Sequence, residues 1–174
     1  MMKRIKGWFL VGCFLMLAGC AAPPVIPPDY GYGEKAIDLN LIADPMINLY
    51  QDSAHTLLVC VYQLRDPNAF NQRAGTTPGL YELLQCNQFD PSVTNAERII
   101  LYPGKDVQRT IDRAEGTRYV AIAAGYYNLG KDSTTRLFPI PVKEETLGFF
   151  SRQRVASPAQ LIIDLEFGPQ KIEE

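Results

Sequence analysis

Four cysteines and one histidine are the residues of this 174-residue chain best suited to covalent or metal chemistry. His55 is the only histidine and stands in a polar stretch, Gln51-Asp52-Ser53-Ala54-His55-Thr56. Acid–base catalysis needs a second convergent group, and zinc needs several His or Cys ligands at set spacing. His55 has neither and reads as a solvated side chain. Glu144 and Glu145 are adjacent carboxylates, but neighbours on a strand point to opposite faces and cannot share a proton-transfer site. Ser92, Ser151 and Ser157 lack the turn that exposes a nucleophilic serine. There is no Gly-rich phosphate loop. The residues therefore predict no catalytic centre, no metal site and no cofactor. With 17 basic and 19 acidic residues, no basic excess remains to neutralise phosphates, which argues against nucleic acid as a partner.

The cysteines divide into two kinds. Met1–Lys6 carries Lys3, Arg4 and Lys6 with no acid, and Gly7–Leu17 is uncharged and apolar. That stretch is shorter than the ~20 residues a membrane-spanning helix needs, so it reads as an export signal. Leu17-Ala18-Gly19-Cys20 follows it and has the form of a bacterial lipobox. Small residues there fit a signal peptidase, and the Cys20 thiol then receives diacylglycerol. The expectation is a signal peptide over 1–19, lipidation at Cys20, and more than one acyl chain to make anchoring stable. Ala21 is not the Asp of an inner-membrane retention signal, which favours the periplasmic face of the outer membrane. Cleavage also removes Cys13 and three basic residues, so the mature chain is more acidic than the formal −2 of the whole.

Cys60 and Cys86 remain. The periplasm is oxidising, so a pair that can meet will bond. Cys60 lies in a candidate central strand and Cys86 near the end of a candidate helix. A bridge would tie helix to sheet. The alternative is two buried free thiols.

The elements that must position these residues begin after a tether. Residues 20–36 hold four prolines and two glycines, which block regular structure and favour an extended spacer. A folded domain is expected over 37–174. Ile37, Leu39 and Leu41 alternate with polar residues, as in a half-buried strand. Leu57–Leu64 is nearly continuous and β-branched, as in a central strand. Asp66-Pro67 and Thr77-Pro78 each offer a helix cap followed by proline. Phe70 and Ala74 lie on the first helix, and Leu80, Leu83 and Leu84 on the second. Strands follow at 99–102, 107–111 and 119–127. Residues 137–142 read as an edge strand because of Pro139 and Pro141. A last strand occupies 161–167. Seven strands and a small helical insertion between the second and third predict an all-β sandwich of two sheets. Residues 146–156, with Phe149, Phe150, Arg152 and Arg154, read as a short helix capping the sandwich or as a second contact surface.

Three stretches resemble a known family. They are Leu39-Asn40-Leu41-Ile42-Ala43-Asp44-Pro45-Met46-Ile47-Asn48, Val61-Tyr62-Gln63-Leu64-Arg65-Asp66, and Leu101-Tyr102-Pro103-Gly104 with Tyr119–Tyr127. In this order behind a lipobox they are similar to the TssJ family, the outer-membrane lipoprotein of the type VI secretion membrane complex. The chain departs from the family pattern at Cys60, where Arg is usual, and at Tyr126-Tyr127-Asn128, where an aromatic–Arg–Asp run is usual. The resemblance implies a transthyretin-like sandwich and docking to the periplasmic domain of the inner-membrane subunit TssM. It also implies that the loop after the first strand, Asp44–Thr56, touches that partner through Asp44, Met46, Ile47, Asn48, Leu49, Tyr50 and Gln51. Read by itself, the loop is long, and its apolar residues form either a binding patch or packing onto its own core. The rival reading is a periplasmic lipoprotein carrier or chaperone that holds a small molecule or polypeptide inside the sandwich.

Overall fold

The computed structural model describes residues 25–147 and 153–173. The lipobox with Cys20, the first residues of the tether, Phe149, Phe150 and Arg152 lie outside the described residues. Strict alternation makes β9 (Leu161–Phe167) half-buried: its odd residues face inward and its even residues face solvent. The same logic builds β1 (Gly33–Ala43), with Ile37, Leu39, Leu41 and Ala43 buried. β2 (Leu57–Leu64) is apolar on both faces because both are covered. Leu57, Val59 and Val61 point between the sheets, while Cys60, Tyr62 and Leu64 point outward under the helices.

Two helices supply that cover, α1 (Asn68–Ala74) and α2 (Thr77–Leu83). β3 (Val93–Leu101), β4 (Val107–Arg113) and β5 (Tyr119–Ala124) follow. Next come the single turn α3 (Lys131–Thr134), β6 (Thr135–Pro139), β7 (Val142–Leu147) and β8 (Gln153–Pro158). β10 (Ile172–Glu173) follows β9 and completes the described elements. One sheet has the order β10-β9-β1-β4, with β1 parallel to β9; the other has the order β3-β2-β5-β6; β7 and β8 form a separate ribbon. The expected two-sheet sandwich with a helical insertion between the second and third strands is the observed architecture. The inner faces of β1, β2, β5 and β9 form one core, each fully buried aliphatic side chain contributing ~1.5–3 kcal/mol. Phe70, Ala74, Leu80 and Leu83 form a second core on the outer face of the second sheet.

Several boundaries differ from the sequence reading. β3 begins at Val93 and β1 at Gly33, both earlier than their apolar patterns suggest. β6 is an edge strand as expected but stops at Pro139, and Val142 belongs to β7. The α2 cap is Thr76, whose Oγ1 accepts from Gly79 N at 3.1 Å, so Thr77 is already helical. Asp66 caps one residue early: its carboxylate accepts from Asn68 N at 2.8 Å, and α1 starts after Pro67. The described parts of 146–156 are strand, not helix, because β7 and β8 pair from Val142–Pro158 to Leu147–Gln153. Glu144 and Glu145 do face opposite ways there, one beside Arg154 and the other beside Lys143.

Cys60 and Cys86 are bonded, with Cα atoms 5.0 Å apart, inside the range a disulfide spans. The bridge ties β2 to the chain leaving α2. Beside it, burial pushes the Tyr62 hydroxyl up to about 12, so it stays protonated and donates to Leu83 O.

Candidate functional site

The segment from Asp44 to Thr56 crosses from one sheet to the other at one end of the sandwich. It is held by backbone and side-chain hydrogen bonds along its length. Asp44 N donates to Phe167 O at 3.0 Å, and Asp44 O accepts from Gly104 N at 3.2 Å. The Asp44 carboxylate accepts from Met46 N at 2.6 Å. Gly104 sits at φ 64° in the Tyr102–Lys105 turn, the left-handed position at which glycine carries no penalty. Leu49 N donates to Pro169 O at 2.7 Å, and His55 N donates to Ile47 O at 3.1 Å. Tyr50 and Ser53 exchange both backbone hydrogen bonds around Gln51 and Asp52. Those two residues have φ of 47° and 58°, which makes the tip a two-residue hairpin of the type I′ kind.

Asn48 organises the rest. It is buried and left-handed, with φ 50°. Its Nδ2 donates to Thr56 O at 3.0 Å, and its Oδ1 accepts from Tyr127 N at 3.1 Å. One side chain thus joins both ends of the loop to the chain leaving β5. Tyr127 is thereby set flat on Tyr50, with ring centroids 4.3 Å apart and planes 17° apart. His55 packs edge-on against Tyr127 at 5.2 Å. The lone histidine is therefore half-buried in an aromatic cluster, which corrects the expectation of a solvated side chain. Tyr126 points the other way: burial raises its hydroxyl pKa, and the hydroxyl donates to Lys171 O at 2.8 Å.

The predicted contact residues separate by this geometry. Ile47 is fully buried in the core between the sheets, and Asn48 works from inside. Asp44 and Leu49 are half-buried and tie the loop down through their backbones, while Gln51 stands exposed at the hairpin tip. Met46, Tyr50 and Tyr127 remain 43%, 45% and 55% exposed at the rim of this end of the sandwich, the two tyrosines as a stacked pair. The loop packs on its own core through Ile47 and Asn48 while Met46 and Tyr50 stay exposed. The sequence places Tyr127 at a strand end and as a departure from the family pattern, not among the contact residues. Its one signal was an aromatic pair, Tyr126-Tyr127, at a strand end. The depression between Leu49, Tyr50, Tyr127 and Pro169 encloses ≈ 230 Å³, below the ~300 Å³ at which small-molecule pockets begin. Among the described residues, no group of three His, Cys, Asp or Glu could hold a metal ion.

A family model described as type VI secretion lipoprotein (VasD, EvfM, TssJ) matches residues 35–166. No curated protein sequence matches the chain significantly. Among solved structures, the type VI secretion lipoprotein TssJ1 from Pseudomonas aeruginosa is similar at 21% identity and a TM-score of 0.56, over 84% of this chain and 95% of that one. Serratia marcescens Lip, described as a membrane bound component of the type VI secretion system, is similar at 20% identity and a TM-score of 0.55, over 79% of this chain and 94% of that one. A chain in a structure described as the TssM C-terminal domain (869-1107) from EAEC is similar at 15% identity and a TM-score of 0.56, over 79% and 94%. These identities speak for the fold alone, while the family model covers well over half of the chain. The chain belongs to the type VI secretion lipoprotein family, the TssJ family.

Proposed function

We propose that the protein is lipidated at Cys20, sits at the periplasmic face of the outer membrane, and docks the periplasmic domain of TssM through the rim of Met46, Tyr50 and Tyr127. The role is mechanical coupling, with no catalysed step. The observation that carries the reading is the rim itself. Aromatic side chains are the usual anchors of protein interfaces. Here they stand on a backbone already fixed by Asn48 and the Tyr50–Ser53 hairpin, which lowers the ordering cost of binding. The neighbour described as the TssM C-terminal domain adds support.

A carrier or chaperone would need room inside the sandwich. Ile37, Leu39, Leu41, Val59, Ile122 and Ile163 fill that space, which favours docking. Photo-crosslinking in cells tests the reading. Benzoylphenylalanine replacing Tyr50 should trap TssM, while the same group replacing Ile162, exposed on the flank of β9, should not. Equal yields from both positions would overturn the assignment of the rim.

A further inference from the structure

The N-terminal segment is bound to the domain much closer to Cys20 than a free spacer would be. Ile26 forms a parallel bridge with Val155 of β8. Ile26 N donates to Arg154 O, and Ile26 O accepts from Ala156 N, both at 3.0 Å. Further on, Tyr30 O accepts from Gly116 N at 2.6 Å, and the Arg118 guanidinium lies 5.4 Å over the Tyr30 ring. Arg113 Nη2 donates to Gly31 O at 3.1 Å. The Tyr32 hydroxyl donates to one oxygen of Asp112, and the other accepts from Lys35 N at 2.8 Å. Beyond Ile26 the proline-rich segment is therefore a strap laid on the domain. Ile26 lies six residues after Cys20, a reach of at most about 20 Å at ~3.3–3.6 Å per residue.

Topology says which end of the sandwich this short leash holds. β1 and β9 are parallel and begin together at the strap end, where Ile37 pairs with Leu161. They finish together at the rim end, where Ala43 pairs with Phe167. The ribbon β7–β8 leaves the sandwich between β6 and β9, also at the strap end. β7 is exposed along its whole length. Ile26, Val142 and Leu147 are exposed apolar side chains there. The ribbon's described charges are paired, Lys143 with Glu145 at 2.9 Å and Arg154 with Glu144 at 3.7 Å. Paired charges leave little net field to repel an anionic surface.

We infer that the ribbon β7–β8, with Ile26 laid along it, is the face that rests on the lipid surface. The strap then holds the docking rim away from the membrane by about the length of β1, ~35 Å for 11 residues at ~3.3 Å each. The inference rests on acylation of Cys20, so its test must separate the two claims. Trp8 is the chain's single tryptophan and lies in the signal segment, so the mature protein offers a silent background. Leu147→Trp and Tyr102→Trp place one probe on the ribbon and one on the turn at the rim end. The full-length protein is expressed, purified from membranes and reconstituted into phosphatidylethanolamine–phosphatidylglycerol vesicles with brominated acyl chains. Leu147→Trp should lose about half or more of its emission, as expected for a side chain at the acyl boundary, and Tyr102→Trp should be unaffected. A vesicle-bound, acylated protein with an unquenched Leu147→Trp, or with both probes quenched alike, overturns the orientation. A protein of unmodified mass that stays in the soluble fraction refutes the anchor instead, and the inference with it.

Discussion

Replacing Asn48 separates what its side chain does from what its backbone requires. The side chain makes two hydrogen bonds, to Thr56 O at 3.0 Å and from Tyr127 N at 3.1 Å. Each is worth about 1 kcal/mol net, and more where the abandoned partner stays dry. Asn48→Gly removes both bonds and tolerates φ 50° without strain. It should cost about 2 kcal/mol. Asn48→Ala removes the same bonds and adds about 1 kcal/mol for a left-handed residue with a Cβ. Its total of about 3 kcal/mol corresponds to a fall in Tm of about 6–12 °C for a domain of this size. Equilibrium urea unfolding of residues 21–174 measures both variants. Tyr127 should also leave its stacked position on Tyr50, visible as lost ring-current shifts in proton NMR. An alanine variant within about 0.5 kcal/mol of wild type would show that the clamp is not structural. A glycine variant less stable than alanine would refute the backbone argument.

Three further outcomes follow from other contacts. The bridge between Cys60 and Cys86 closes a separation of 26 residues, so Cys60→Ala/Cys86→Ala should lose about 3.5 kcal/mol in the chain-entropy model; urea unfolding measures it, and mass spectrometry should find no free thiol in the wild type. A Cβ on Gly79 would lie 2.3 Å from Arg73 O and 2.6 Å from Arg73 Cα, so Gly79→Ala should force α1 and α2 apart at a cost of about 1–3 kcal/mol, read as a lower unfolding midpoint. The strap should loosen at both extremes of pH. The Lys35 amide and the Tyr32 hydroxyl hold the Asp112 carboxyl below its ordinary value of 3.8, so its contribution is complete above that value and is lost as pH falls through the lower folded value. The same bond raises Tyr32 above 10.0, so its contribution is complete below that value and is lost as pH rises through the higher folded value. Hydrogen exchange over 26–35 should accelerate at each extreme, and Asp112→Asn should abolish the acid limb.

How much of this was legible in the sequence depended on whether an element's signal was local. β2 and β9 coincide with their predicted bounds because one is a continuous apolar run and the other a strict alternation. β7 and β8 were missed because Val-Lys-Glu-Glu-Thr-Leu carries no apolar period, and its strand is exposed throughout. Each helix cap shifted by one residue because neighbouring threonines, or an aspartate before proline, offer equivalent capping oxygens. The disulfide could be anticipated from the compartment and from the places of its two cysteines. The rim was half visible. Its apolar loop residues stood out, but which of them turn inward depends on contacts distant in sequence. Asn48 meets Tyr127 N across 79 positions, a pairing no local pattern encodes. The strap was misread as a spacer because prolines outweighed Tyr30 and Tyr32, two aromatic residues that a plain spacer has no use for.

The proposed docking to the periplasmic part of TssM rests on the rim of Met46, Tyr50 and Tyr127. Calorimetric titration of residues 21–174 with that TssM domain, for wild type and for Tyr50→Ser/Tyr127→Ser, tests it most directly. Wild type should show saturable one-site binding, and the variant should lose about 2 kcal/mol or more, about thirty-fold in Kd, as for the central aromatic anchors of an interface. Wild-type affinity in a variant whose unfolding midpoint shows it folded would rule out docking through the two tyrosines.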